Sequence, residues 1–155
     1  MRRIIIAWAA AALLAGCTTY DQARHDDEVW RVSHHGDEID YEGMDEVLFA
    51  YDSADLSPHA YDAVANIADD VRQHPHWLIE VNGYTDTVGS QDYNLPLSRA
   101  RAQTVADALV HNGIEPARIA VHGFGKTHLA VPTGDNVREG RNRRVVIRLI
   151  PPDRR

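Results

Sequence analysis

Hydrophobic positions change period several times along the chain, and each change marks a predicted element. Ala60, Val64, Ile67, Ala68 and Val71 recur at helical spacing behind Ser57-Pro58. That pair is a capping serine followed by proline at the first helical position, where the missing N–H costs nothing. Pro75 marks the stop of this helix. Trp77 to Tyr84 alternates, Ile79 and Val81 on one face and Glu80 and Asn82 on the other, which is the period of a strand. A polar loop is predicted from Thr85 to Asn94. Ser98 is the predicted cap of a second helix with Ala102, Val105, Ala106 and Leu109 on its buried stripe, and Gly113 supplies a left-handed residue after Asn112. Ile119 to Gly123 reads as a strand, Gly125 to Gly140 as a loop, and Arg144 to Ile150 as a last strand stopped by Pro151-Pro152.

Upstream, Glu46 to Tyr51 is a short apolar and aromatic run suited to a buried strand. Val29 to Val32 and Glu38 to Tyr41 are weaker strand candidates around a turn at His34-His35-Gly36-Asp37. Trp77 and Tyr61 are expected in the core. The order β-α-β-α-β-β predicts an α+β fold, a two-layer sandwich with both helices packed on one sheet.

The start of the chain follows a different pattern. Arg2 and Arg3 precede an apolar run from Ile4 to Leu14, followed by Ala15, Gly16 and Cys17. A basic segment, a short apolar segment and small residues before a cleavage point describe a secretory signal peptide, and the run is too short for the roughly 20 residues of a membrane span. Leu14-Ala15-Gly16-Cys17 resembles the bacterial lipobox, which implies cleavage before Cys17 and acylation of that residue. Two or three acyl chains would hold the protein on a membrane, because each buried methylene contributes about 0.8 kcal/mol. Thr18 follows the cysteine, where an Asp would resemble an inner-membrane retention signal, so the expected location is the periplasmic face of the outer membrane. The expected division is a signal peptide over 1–16, a lipidated polar tether over 17–28, weak strands or linker over 29–44, one domain over 45–151, and a tail over 152–155.

Composition narrows the function. The 155 residues include 16 Lys and Arg against 23 Asp and Glu, a net charge of -7. Removing the leader takes away two arginines and no acid, so the remainder is more acidic still. Nucleic acid is therefore not an expected partner, since binding it requires neutralising many phosphates. Cys17 is the single cysteine, which excludes an internal disulfide. No cofactor or metal is expected: the nine histidines lack the spacing or cysteine partners of a closed zinc site. Gly123-Phe124-Gly125-Lys126-Thr127 lacks the glycine spacing of a phosphate loop. No nucleophile elbow appears either, and the protein is not expected to be an enzyme.

The segment Gly83-Tyr84-Thr85-Asp86-Thr87-Val88-Gly89-Ser90-Gln91-Asp92-Tyr93-Asn94-Leu95-Pro96-Leu97-Ser98-Arg99-Ala100-Arg101-Ala102 carries the strongest signal. It resembles the peptidoglycan-binding domain of the OmpA family, which includes the Pal lipoproteins and has the pattern G-H-T-D-x-x-G-x-x-x-Y-N-x-x-L-S-x-x-R-A. Phe49 to Leu56 and Asn142-Arg143-Arg144-Val145 extend the resemblance over about residues 45–150. Tyr84 departs from the usual His, and the run Arg138-Glu139-Gly140-Arg141-Asn142 is shorter than the usual E-G-R-x-x-N-R-R.

The resemblance implies a peptidoglycan stem peptide as ligand. Its diaminopimelate ends in one ammonium and one carboxylate and asks for one fixed anion and one fixed cation. It implies that Asp86 pairs with the ammonium and Arg101 clamps the carboxylate through its planar fork. Tyr51 and Asp52 match pocket positions. Thr85, Thr87, Asn94 and Leu97 match loop positions that touch the ligand or hold the loop, and Arg143 matches the rim. An Asp after a strand and an Arg early in a helix can also form a structural ion pair, Asn94 can be a turn residue, and Arg143 or Arg144 a solvated strand end. The expected function is non-covalent tethering of the outer membrane to the wall, with peptidoglycan and outer-membrane lipid as partners. The alternative is a Pal-like hub whose main ligand is another envelope protein of the Tol type.

Overall fold

The computed structural model describes residues 30–44, 48–49 and 54–152. The elements are β1 (Trp30–His35), β2 (Glu38–Met44), α1 (Pro58–Gln73), β3 (Leu78–Tyr84), α2 (Gln91–His111), β4 (Ile119–Gly123) and β5 (Arg144–Ile150), with short 3-10 turns at Pro116–Arg118 and Gly140–Asn142. The five strands form one sheet in the order β1-β2-β5-β3-β4. β3 and β4 run parallel because α2 crosses between them, and the other neighbours are antiparallel. This is the two-layer α+β sandwich expected from the sequence, with a hairpin added at one edge.

The hairpin turns on Gly36-Asp37. His35 pairs with Glu38, and Gly36 has φ 67°, which a two-residue turn of this kind requires at its first position. Both weak strand candidates are therefore real strands, longer than the sequence suggested, and β2 adds to β5 in the same sheet. Glu46 to Tyr51 is described only at Leu48 and Phe49. Both are buried, but Phe49 forms an isolated bridge with Leu56 and does not join the sheet.

One face of the sheet builds the core. Ile79, Val81, Val145, Ile147 and Leu149 meet Val64, Ile67, Ala68 and Val71 of α1 and Ala102, Val105, Ala106 and Leu109 of α2. α1 starts where predicted, with Ser57 Oγ accepting from Ala60 N at 3.1 Å. Tyr61 is a correction: it is more than a third exposed and meets the His111 ring edge-on instead of entering the core. Trp77 is half-buried against the core. No helix among the described residues is long and apolar enough to cross a membrane.

α2 differs most from expectation. It begins at Gln91, with Ser90 as cap accepting from Tyr93 N, so Ser98 lies inside the helix and not at its start. Pro96 sits in the second turn, where the carbonyl it leaves unpaired belongs to exposed Asp92 and can be hydrated. The sheet accommodates α2 closely. A Cβ on Gly83 would come within 2.0 Å of the Ser98 carbonyl oxygen, and one on Gly123 within 2.6 Å of Arg99 N. Two adjacent glycines, paired across β3 and β4, thus let the N-terminal half of α2 rest against the strand ends.

Candidate functional site

The strand ends and α2 frame a pocket. After Tyr84 the chain leaves β3 and is pinned at once by Thr85 N donating to Gly125 O at 2.8 Å. Thr85 Oγ1, fully buried, donates to the Asp86 carbonyl. Asp86 is buried: its Oδ1 accepts from Val88 N at 3.1 Å, and its Oδ2 accepts from Arg143 Nη1 at 2.8 Å. The first bond folds the chain back on itself after the strand, and the second fixes the carboxylate against the last crossing of the chain before β5.

α2 supplies the opposite wall. Asn94, Leu97 and Arg101 are spaced by three and four residues, so they share a helical stripe, and Arg101 lies about three turns into the helix. Asn94 Nδ2 donates to the carbonyls of Val88 and Ser90, holding the loop against the helix start. The Arg101 guanidinium lies 5.5 Å from the Phe49 ring centroid, a cation over an aromatic face. Ser98, fully buried, donates to Leu95 O and accepts from Gly125 N at 2.9 Å, which ties the helix to the segment after β4.

Thr85, Asp86, Asn94, Leu97, Arg101 and Arg143 line one cavity of about 260 Å³, together with Val88, Tyr93 and Arg138. Six residues singled out in the sequence are therefore brought together. Thr87 is buried behind them: its Oγ1 donates to Gly134 O at 2.6 Å and accepts from Val137 N at 3.0 Å, fastening the 134–137 loop to the site. Tyr51, Asp52 and Cys17 fall outside the described residues. Arg138 heads the Arg138 to Asn142 run quoted from the sequence but was given no role in the site there. Its signal was membership of that run, whose shortened spacing obscured which arginine reaches the cavity.

Tyr84, the departure from the family pattern, faces away from the pocket. Its ring lies between the Arg144 guanidinium, 3.9 Å from the centroid, and the Phe124 ring, 5.2 Å away and nearly parallel. Burial pushes its hydroxyl pKa up, with Arg144 and Arg148 opposing. Burial lowers the Arg144 pKa, with Glu42 and Tyr84 opposing. On the same outer face Arg148 makes two bonds, of 2.9 and 3.0 Å, to the carboxylate of Asp40.

A buried carboxylate and three guanidinium groups thus line one small cavity, framed by a βαβ crossover and an antiparallel strand, and charges of both signs face the same space. The OmpA family matches residues 48–143, most of the chain, and this protein belongs to that family. Over 109 residues it is 41% identical to an outer membrane protein of Gluconacetobacter diazotrophicus, covering 66% of this chain and 29% of that protein. Over 101 residues it is 37% identical to the peptidoglycan-binding protein ArfA of Mycobacterium tuberculosis, covering 65% of this chain and 31% of that one. The chain thus spans about three tenths of the length of these two relatives. Among solved structures, the peptidoglycan-associated lipoprotein of Burkholderia pseudomallei superposes with a TM-score of 0.59 at 28% identity, covering 66% of this chain and 87% of that one.

Proposed function

We propose that this protein is a non-enzymatic lipoprotein of the outer membrane, anchored through acylated Cys17, that grips peptidoglycan in the cavity between β3 and α2 and so ties membrane to wall. The observation that carries this is the cavity itself, in which one buried anion and several guanidinium groups sit within a volume suited to the end of one side chain. Diaminopimelate offers an ammonium and a carboxylate on a single carbon. Asp86 takes the ammonium, sharing its carboxylate with Arg143, and Arg101 takes the carboxylate. The sequence motif that supplies these residues, a relative named for peptidoglycan binding, and a similar structure named a peptidoglycan-associated lipoprotein all support the assignment.

Tethering then follows from geometry and does not require high affinity at any single site. With one end in the membrane and the other at the wall, each attachment raises the effective concentration for the other, and many copies act in parallel. Two experiments test the two ends. Asp86→Ala and Arg101→Ala are expected to abolish pull-down by purified sacculi, and full retention by both would remove the assigned site. Cys17→Ala is expected to move the protein from the membrane to the soluble fraction of lysed cells, and unchanged membrane association would remove the anchor.

A further inference from the structure

The charges lining the cavity exceed what a diaminopimelate end requires. A group with one ammonium and one carboxylate is matched by Asp86 and a single arginine, yet Arg101, Arg138 and Arg143 all line the same cavity. Arg143 is bonded to Asp86. Arg138 is exposed and forms no ion pair among the described residues, although an acid is its immediate neighbour. Glu139 is engaged elsewhere: its two oxygens accept from Arg141 Nε at 3.0 Å and Nη2 at 3.2 Å, and Oε1 also accepts from Arg141 N. These bonds hold the Glu139 carboxyl below the usual carboxylate range.

The backbone on either side of Arg138 is fixed. Val137 is bonded to Thr87 Oγ1, Asn136 N donates to Thr87 O, and Asn136 Oδ1 accepts from Gly89 N. On the other side Glu139 caps the turn that leads to Asn142, and Asn142 makes a reciprocal pair with the Val131 backbone. Arg138 is thus a cation presented at the cavity rim by a loop tied to the floor of the site.

Resting on the proposal that this cavity takes a stem peptide, we infer that Arg138 selects peptides in which the adjacent isoglutamate keeps a free α-carboxylate over peptides in which that group is an amide. A carboxylate meets the guanidinium with two acceptor oxygens. Amidation removes the charge and replaces one acceptor by an NH2, which faces the guanidinium donor to donor. At an exposed rim such a pair changes affinity by roughly three- to fivefold.

The test uses the full-length protein in detergent and two synthetic muramyl tripeptides, identical except that the isoglutamate α-carboxyl is free in one and amidated in the other. Titration calorimetry is run on the wild type and on Arg138→Gln. The wild type is expected to prefer the free acid at least threefold, and Arg138→Gln to lose that preference, its affinity for the free acid falling to that for the amide. Equal wild-type affinities, or a preference that survives in Arg138→Gln, would overturn the inference and leave the site assignment standing. Wild-type binding to neither peptide would overturn the peptidoglycan proposal and this inference with it.

Discussion

Asp86→Asn keeps the shape of the side chain and removes its charge. The Oδ1 bond from Val88 N, 3.1 Å in the structure, can survive the change. The second contact cannot, because the new amide nitrogen would face Arg143 Nη1, now 2.8 Å from Oδ2, as donor against donor. At that distance the ion pair has a gross Coulomb energy of about 6 kcal/mol in an effective dielectric of about 20. Most of this is offset by desolvation, since the two side chains are only 9% and 22% exposed. The net loss expected for a charge-assisted bond is about 1.5–3 kcal/mol, a fall in melting temperature of roughly 6–12 °C. A ligand ammonium that uses the same carboxylate would lose a similar amount, roughly 10- to 150-fold in affinity. Arg143→Gln separates the two effects, because it breaks the pair but leaves the Asp86 anion in place. Thermal unfolding by circular dichroism and calorimetric titration with a diaminopimelate-containing muropeptide are the assays. Both variants should lose stability, and Asp86→Asn should lose much more affinity than Arg143→Gln. Folded Asp86→Asn that bound within about twofold of the wild type would refute the role given to Asp86.

Ser98→Ala removes the acceptor of the buried Gly125 N–H and should cost about 1–3 kcal/mol in urea unfolding, with little change in ligand contacts. Thr87→Val removes the bonds to Gly134 and Val137, so amide hydrogen exchange should accelerate at Val137 more than in the sheet. Tyr41 gives a pH dependence: burial, then its hydrogen bond to Asp70 and that group's charge, raise its pKa above the ordinary 10.0. The folded chain therefore holds this proton more tightly than the unfolded chain, and the resulting stability, complete below about pH 10, is lost as pH rises further. Tyr41→Phe should flatten that alkaline fall, which unfolding curves between about pH 9 and pH 12 would detect.

The parts of the fold legible in the sequence were those where burial and period coincide. α1 has a serine cap, a first-position proline and five buried apolar residues at helical spacing. β3 and β5 place Ile79 and Val81, and Val145, Ile147 and Leu149, at every second position because that face meets the helices. The start of α2 was missed because its inward positions there are Asn94 and Ser98, buried by hydrogen bonds instead of apolar contact, while polar Gln91 and exposed Asp92, Tyr93 and Pro96 read as loop. Had the helix been read from Ser90, the spacing of Asn94, Leu97 and Arg101 would have placed all three on one wall. The hairpin was faint because β1 is an edge strand whose residues after Trp30 are mostly exposed. In the site, the motif named six cavity residues, but it gave no sign that Asp86 already pairs with Arg143 or that Arg138 joins them. Those depend on contacts between residues more than 50 positions apart, which no local pattern records.

Co-sedimentation with purified sacculi, with soluble fragments measured in the same tubes, tests the central claim most directly. Wild-type protein is expected to pellet with the sacculi, to be displaced by excess free diaminopimelate tripeptide, and to release no muropeptides. Protein that remained in the supernatant, that pelleted without regard to the competing peptide, or that solubilised the wall would contradict non-covalent recognition through the Asp86 and Arg101 cavity.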